Sequence, residues 1–465
     1  MPRLFLCVLP ALLLLASVSR AGTTPAQRLG EAVRIQTISY QEFARIDYGQ
    51  FQRFHAFLRA NFPRVFAQLE VETVNDYSLL MRWPGSDATL PPVLFTAHMD
   101  VVPVEPGTEQ DWQHPPFAGV LADGRVYGRG TLDDKQGLLG ILEAAESLLA
   151  EGYSPTRTIV FAFGHDEEIS GKRGAAAIAA RMRELDLHFS WMVDEGGFLL
   201  SDSPLLPGQA IAMVNIAEKG YLTLTLVAEG DGGHSSNPPQ ISTIGRLAAA
   251  LARIEDNPFP PRLVAPVEAM LEMVAPHVGQ PQRFVFGNLW LTEGLVTGRM
   301  ADDRLTNPFV RTTTALTMFN AGVKENVVPQ RAEAKVNFRL LPGDSPEMVV
   351  SYITEVVDDP QIAISYDLWN NIPGVAEYPG GGFAVIAAAV EAVYPGVLVV
   401  PSLLAATTDT RHYIDLVDNQ YRFHGVMMAT SQAKSIHGTD EYIDVKSYEN
   451  SIAIATQLLK ISSRL

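Results

Sequence analysis

The chain has 465 residues, of which 47% are hydrophobic and 19% charged, with a formal net charge of −17. That length exceeds one ordinary core and predicts two domains, and the apolar share excludes a disordered chain. The acidic balance argues against nucleic acid or an anionic membrane as a partner. It is silent on substrate, because a metal site can be locally positive inside an acidic protein.

Residues 1–21 stand apart from the fold. Arg3 supplies a positive charge, and the apolar run from Leu4 to Val18 is interrupted by Pro10 and is short for a bilayer. Ser19-Arg-Ala21 places small residues where a signal peptidase reads. A signal peptide cleaved near Ala21–Gly22 and an exported product, periplasmic or secreted, are expected; a retained membrane anchor is the alternative. The only cysteine is Cys7. A mature chain without it would have no disulfide and no thiolate ligand, so His, Asp and Glu would hold any metal.

Residues 26–37 and 48–61 carry helical apolar spacing. In the second, His55 shares a face with Phe51, Phe54 and Leu58 and reads as a core or boundary histidine. Strands are predicted near 78–83 and 93–96. The stretch Val93-Leu-Phe-Thr-Ala-His-Met-Asp-Val-Val-Pro103 is a buried strand running into a loop. Alternation of faces puts His98 and Asp100 on one side. There a carboxylate can hold the imidazole's second N–H and leave the other nitrogen for a metal. Alone, such a pair supports only a hydrogen bond at a strand end.

Residues 111–117 read as a proline-rich surface loop, with His114 a loop residue. Gly128-Arg-Gly-Thr-Leu-Asp-Asp-Lys135 leads into a helix whose stripe is Leu138, Ile141, Leu142, Ala145, Leu148 and Leu149. A dinucleotide loop is discarded because its third glycine is absent. Asp133 and Asp134 fall at the helix start, where anions are favoured. A single Asp there would be an ordinary cap; two after Gly-Arg-Gly-Thr are less ordinary. The apolar strand 158–163 ends in Gly164-His-Asp-Glu-Glu168, and ionisable residues in such a place are costly unless used. Adjacent carboxylates can divide labour, Glu168 binding metal and Glu167 staying free as a base. Trp191-Met-Val-Asp-Glu-Gly-Gly197 repeats the pattern, with Asp194 at the strand end. In open α/β sheets ligands bind at the carboxyl ends of strands, so these ends are expected to converge.

Near residue 216 the texture changes. Alternating strands are predicted at 221–227, 312–319 and 334–340, with a helix at 241–254 and a longer helical stretch to about 279. These form an α+β domain, 216–372, inserted into a catalytic domain of residues 22–215 and 373–465. His234 lies in a glycine-rich loop suited to a mobile polar contact. Met270, Met273 and Phe286 read as core of the inserted domain, with a greasy acyl pocket as the alternative. A helix at 381–394 and a short strand at 397–400, stopped by Pro401, return the chain to the first domain. His437 precedes a last helix capped by Asp444.

Together His98-Met-Asp100-Val-Val-Pro, Gly128-Arg-Gly-Thr-Leu-Asp-Asp-Lys135, Asp166-Glu-Glu168, Val193-Asp-Glu-Gly-Gly197, Gly233-His-Ser235, Glu325-Asn-Val-Val-Pro329 and Ile436-His-Gly-Thr-Asp-Glu441 resemble the zinc metallopeptidase and aminoacylase family. That family includes carboxypeptidase S, glutamate carboxypeptidase, aminoacylase and succinyl-diaminopimelate desuccinylase. The likeness covers the mature chain and is nearest to the carboxypeptidase S and N-fatty-acyl-amino-acid hydrolase branch. It implies an α/β zinc-peptidase-like catalytic domain, a mixed sheet flanked by helices, with an inserted α+β lid and dimerisation domain.

The resemblance further implies two zinc ions bridged by Asp133 and a water, with cobalt a possible substitute. One ion would take His98 and Asp194, the other Glu168 and His437; Asp100 would orient His98, and a cis peptide would follow Asp133. Glu167 would be the base, and His234, in many relatives supplied by the partner subunit's lid, would hydrogen-bond the oxyanion. Asn326 and Arg339 resemble lid residues that grip substrate, and Arg411 is a second candidate for the substrate carboxylate. The expected activity is cleavage of an amide next to a free carboxylate, in a peptide or an N-acyl amino acid, by a homodimer. An aminopeptidase or dipeptidase of the same chemistry, and a catalytically silent binding protein of the same fold, are the alternatives. Lys324 and Glu441 carry no assignment.

Overall fold

Alternation along three short apolar runs builds the centre of the large sheet. In a computed structural model, which describes residues 22–369 and 372–464, Val93, Phe95, Ile159, Phe161, Trp191 and Val193 pack on one face, and Leu94, Val160 and Met192 on the other. The expected leader, with Arg3 and Cys7, lies outside the described residues. Helices Tyr48–Asn61, Lys135–Ala150, Gly381–Val393 and Val445–Ser462 cover the first face, and Ala175–Glu184 the second. Full burial of a Leu such as Leu138 or Leu142 contributes about 1.5–3 kcal/mol, which is how the predicted stripe of that helix holds it to the sheet.

From one edge the strand order is Glu70–Val74, Ser78–Trp83, Ile159–Gly164, Val93–His98, Trp191–Asp194, Gln420–Arg422 and Ile211–Glu218. Val93–His98 runs parallel to both Ile159–Gly164 and Trp191–Asp194, so the three carboxyl ends leave the sheet on the same side. The sheet is mixed, since Ser78–Trp83 pairs antiparallel with Ile159–Gly164. Leu398–Leu404 joins Ile211–Glu218 in parallel and continues through Pro401 rather than stopping there. It pairs with that one strand only among the described residues, and an edge strand tolerates a missing N–H.

The second sheet is antiparallel, in the order Thr313–Ala321, Arg331–Leu340, Gly220–Glu229, Ile362–Trp369. Helices Thr243–Asp256 and Pro346–Val357 bury Leu247, Ile254, Val349 and Ile353 against its Leu222, Leu224, Val336 and Phe338. The expected boundary at 215/216 falls inside strand Ile211–Glu218; the chain crosses between Glu218 and Lys219. Glu218 is buried against Arg422 of the large sheet at 3.1 Å, while Lys219 Nζ donates to the carbonyls of Pro308 and Arg311 at 3.0 and 2.7 Å. Helix Ala265–Val274 differs from the lid-core expectation. It lays Val267, Met270 and Leu271 on Ile211, Val400 and Leu403, and Met273 and Phe286 join that cluster. No helix of the described residues is long and apolar enough to cross a membrane.

Candidate active site

Three pairs of adjacent carboxylates meet where the parallel strands end, and in each pair the two members point to different partners. Asp133 and Asp134 precede helix Lys135–Ala150 and are joined by a cis peptide. Asp133 Oδ1 lies 3.0 Å from His98 Nε2, and its Oδ2 lies 3.0 Å from His437 Nε2. Asp134 faces away: its Oδ2 accepts the His98 backbone N–H at 3.2 Å, and its Oδ1 lies 2.8 Å from His424 Nε2. That packing requires Gly137, where a Cβ would stand 2.2 Å from Asp134 Oδ1.

Glu167 and Glu168 sit on the single turn Glu167–Ile169 beyond strand Ile159–Gly164. Glu168 Oε2 lies 3.1 Å from His437 Nε2, while its Oε1 is buried without a partner. Glu167 is turned toward Arg411, whose Nη2 is 4.0 Å from Oε1. Asp166, just before them, accepts the N–H groups of Arg173 and Gly174 at 2.8 and 2.7 Å, which ties this turn to the next helix.

The third pair corrects the sequence expectation. Glu195, not Asp194, faces His98, with Oε1 3.4 Å from Nε2. Asp194 is the last residue of its strand and is buried; it lines a small cavity of about 50 Å³ with Thr96, Gln136 and His424, and its Oδ2 has no hydrogen-bond partner. Glu195 stands one residue past the ladder on a longer side chain. Freedom from the ladder was the signal that separates the two, since a residue within it is fixed to one face.

Two groups of three result: His98, Asp133 and Glu195, and Asp133, Glu168 and His437. In each, one ligand atom per residue lies within 4.8 Å of the others. Asp133 belongs to both and offers one oxygen to each. His98 Nδ1 is taken up by Asp100, 3.0 Å from its carbonyl and 3.3 Å from Oδ1, which leaves Nε2 for the site. His437 is half exposed, in a left-handed conformation at φ 59°.

The electrostatics are those of acids crowded without enough cations. Burial, then the charge of Asp133, pushes Glu195 up to about 8 and Glu168 up to about 7. Burial, then Asp409 and Glu195, holds Glu167 well above the usual carboxylate range. His437 is raised to about 10 by its hydrogen bonds to Asp133 and Glu168. All-nitrogen-and-oxygen donors, one shared carboxylate and an orphaned buried Glu168 oxygen fit a pair of divalent cations such as zinc.

A cleft of about 250 Å³ opens on this cluster, lined by Asp133, Glu167, Glu168, Glu195 and His437 and by apolar Leu132, Phe198, Leu404 and Ile436. Arg411 is buried beside it, its Nη1 donating to Thr408 O at 2.8 Å. Arg339, from the second sheet, stacks on the Tyr221 ring at 4.7 Å. Burial, and after it the like charge of Arg411, lowers its pKa, while Tyr221, Glu218 and Glu167 act the other way. The two candidate carboxylate-binding arginines thus feel each other's charge. His234 and Asn326 are not brought to the cluster. His234 lies on the ribbon Gly233–His234/Val327–Val328 and Asn326 just before its second strand; His234 is exposed and its Nδ1 meets Ser236 Oγ at 2.8 Å.

A two-lobed α/β fold with this constellation defines a metallohydrolase. Comparison with known proteins agrees: residues 94–461 match the model of peptidase family M20/M25/M40, and the chain belongs to that family. It is 38% identical over 442 residues to a probable carboxypeptidase S-like 2 of Dictyostelium discoideum, covering 94% of this chain and 84% of that one. It is 37% identical over 440 residues to the N-fatty-acyl-amino acid synthase/hydrolase PM20D1 of Bos taurus, covering 93% and 87%. Its fold is like that of human carnosine dipeptidase 1, with a TM-score of 0.69 at 16% identity over 95% and 96% of the chains. A metallo-carboxypeptidase of the M20 family from Sulfolobus solfataricus gives 0.66 at 16% identity, over 95% and 100%.

Proposed function

We propose that this enzyme is a di-zinc hydrolase that cleaves an amide bond next to a free carboxylate, in a peptide or an N-acyl amino acid. The observation that carries this reading is Asp133, whose two oxygens each face a separate histidine and carboxylate. His98, Asp133 and Glu195 would hold one zinc, and Asp133, Glu168 and His437 the other; cobalt suits the same donors. When bound, zinc supplies Lewis acidity, which polarises an amide carbonyl and acidifies water nearby.

The chain's own residues do the rest. Glu167, whose hold on a proton is strengthened by burial and by the charges of Asp409 and Glu195, takes a proton from the attacking water and returns it to the leaving amine nitrogen. Asp100 fixes the tautomer of His98. Arg411, beside Glu167, and Arg339, which feels its charge, offer cationic groups to a substrate carboxylate, which favours the carboxypeptidase or acyl-amino-acid reading over the aminopeptidase one. Relatives named as carboxypeptidase S-like and as N-fatty-acyl-amino acid synthase/hydrolase support the same choice.

The proposal extends to a homodimer through the lid and to export. Exposed Met318 and Phe319 on the lid's edge strand, and His234 facing solvent, support a partner subunit there. The test loads purified protein with zinc and compares an N-acyl amino acid with its C-terminal amide, and an N-blocked peptide with a C-blocked one. Turnover is expected only where the carboxylate is free. Turnover of the C-blocked peptide alone would instead make the enzyme an aminopeptidase, and zinc uptake without any turnover would make it a binding protein.

A further inference from the structure

Glu441 is absent from both metal groups, yet its fully buried carboxylate organises the loop that delivers Asp133. Oε1 accepts three backbone N–H groups, from Gly130 at 3.0 Å, Leu132 at 2.8 Å and Asp133 at 3.3 Å. Oε2 accepts Arg129 Nη1 at 2.6 Å, and the Glu441 carbonyl accepts the Gly128 N–H at 2.8 Å. Arg129 Nη2 in turn donates to the carbonyl of Gly438, and its guanidinium lies over the Trp112 ring. Immediately beyond, strand Tyr442–Asp444 pairs with Arg125–Tyr127. The segment carrying His437 is thus zipped to the segment carrying Asp133.

We infer that Glu441 is a positioning residue that sets where the shared carboxylate of Asp133 sits relative to His437; this rests on the di-zinc reading above. A buried anion is an expensive way to fill space, and here each of its oxygens has an assigned donor. The three amides it gathers end at Asp133 itself, the one residue common to both metal groups, so a small displacement there alters both. Its other tie runs to the backbone beside His437. A purely space-filling side chain would hold neither.

The test measures zinc per chain at buffered zinc concentrations, kcat and KM, and Tm, for the wild type, E441A, E441Q and a control, R28M. Arg28 forms a partly buried ion pair with Glu143 at 2.6 Å, far in sequence from every metal-group residue. E441A is expected to retain zinc about 10–100-fold more weakly and to lose kcat by a similar factor, with KM little changed because Arg339 and Arg411 are untouched. R28M is expected to lose Tm and keep native zinc affinity. If E441A fails to fold, E441Q decides. It keeps one acceptor and turns an N–H₂ toward Arg129, so zinc retention about tenfold weaker is expected. Native zinc affinity in E441Q or E441A, or parallel zinc loss in R28M at equal loss of Tm, would overturn the inference. A wild type that takes up no zinc would overturn the function reading itself.

Discussion

The carboxylate of Asp100 accepts the backbone N–H of Glu167 at 3.1 Å, so the residue that orients a histidine also fixes the acidic turn. Its other oxygen accepts the Glu168 N–H at 3.2 Å. Asp100→Asn can satisfy only one of these amides and turns a donor toward the other, an unmet buried bond worth about 1–3 kcal/mol. Zinc retention and kcat are expected to fall by about 10–100-fold together, measured by metal analysis and steady-state kinetics. Loss of kcat with zinc affinity intact would show that Asp100 acts on the turn alone.

The Asp194–Glu195 pair makes a sharper prediction. Glu195→Ala is expected to lose one of two zincs and most activity, whereas Asp194→Asn keeps both, because Glu195 and not Asp194 belongs to a metal group. Zinc stoichiometry of the two variants checks this, and the reverse pattern would restore Asp194 to the metal.

Glu167→Gln is expected to keep both zincs and native KM while kcat falls by about 10²–10⁴-fold, the usual share of a general acid and base. Single-turnover assays on zinc-saturated protein measure it. A variant with undiminished turnover removes Glu167 from the proton transfer.

His165 gives a pH dependence of stability. It is buried, its Nδ1 is 2.7 Å from Ser78 Oγ, and burial lowers its pKa from 6.5 to about 4. The unfolded chain therefore binds this proton first, so the stability tied to neutral His165 is complete above pH 6.5 and is lost as pH falls toward 4. At pH 5 the loss is about 2 kcal/mol. Between pH 7 and pH 5 the wild type should lose more Tm than His165→Phe. Equal losses would mean that His165 does not titrate differently on folding.

Much of this was legible in the sequence because strands deliver their last residues to one edge. His98 and Glu168 are read from apolar runs ending in ionisable groups, Asp133 from its place at a helix start and His437 from the family resemblance; the structure sets Asp133 within ligand distance of His98 on one side and of Glu168 and His437 on the other. What was not legible has a physical reason in each case. Asp194 and Glu195 are neighbours of equal charge, and only the end of the ladder tells which can lean over the sheet. Helix Ala265–Val274 has an apolar stripe, but a stripe does not name its partner, and its partner is the large sheet rather than the lid. Pro401 reads as a stop and is instead part of an edge strand. Glu441 carries no local pattern, since its three amide partners lie about three hundred positions upstream.

The most direct test is a crystal structure of the zinc-loaded enzyme with anomalous scattering measured at the zinc edge. Two peaks should flank Asp133, one in reach of His98 and Glu195, the other in reach of Glu168 and His437. A single peak, or zinc bound away from Asp133, would contradict the shared-carboxylate centre on which the proposed hydrolysis depends.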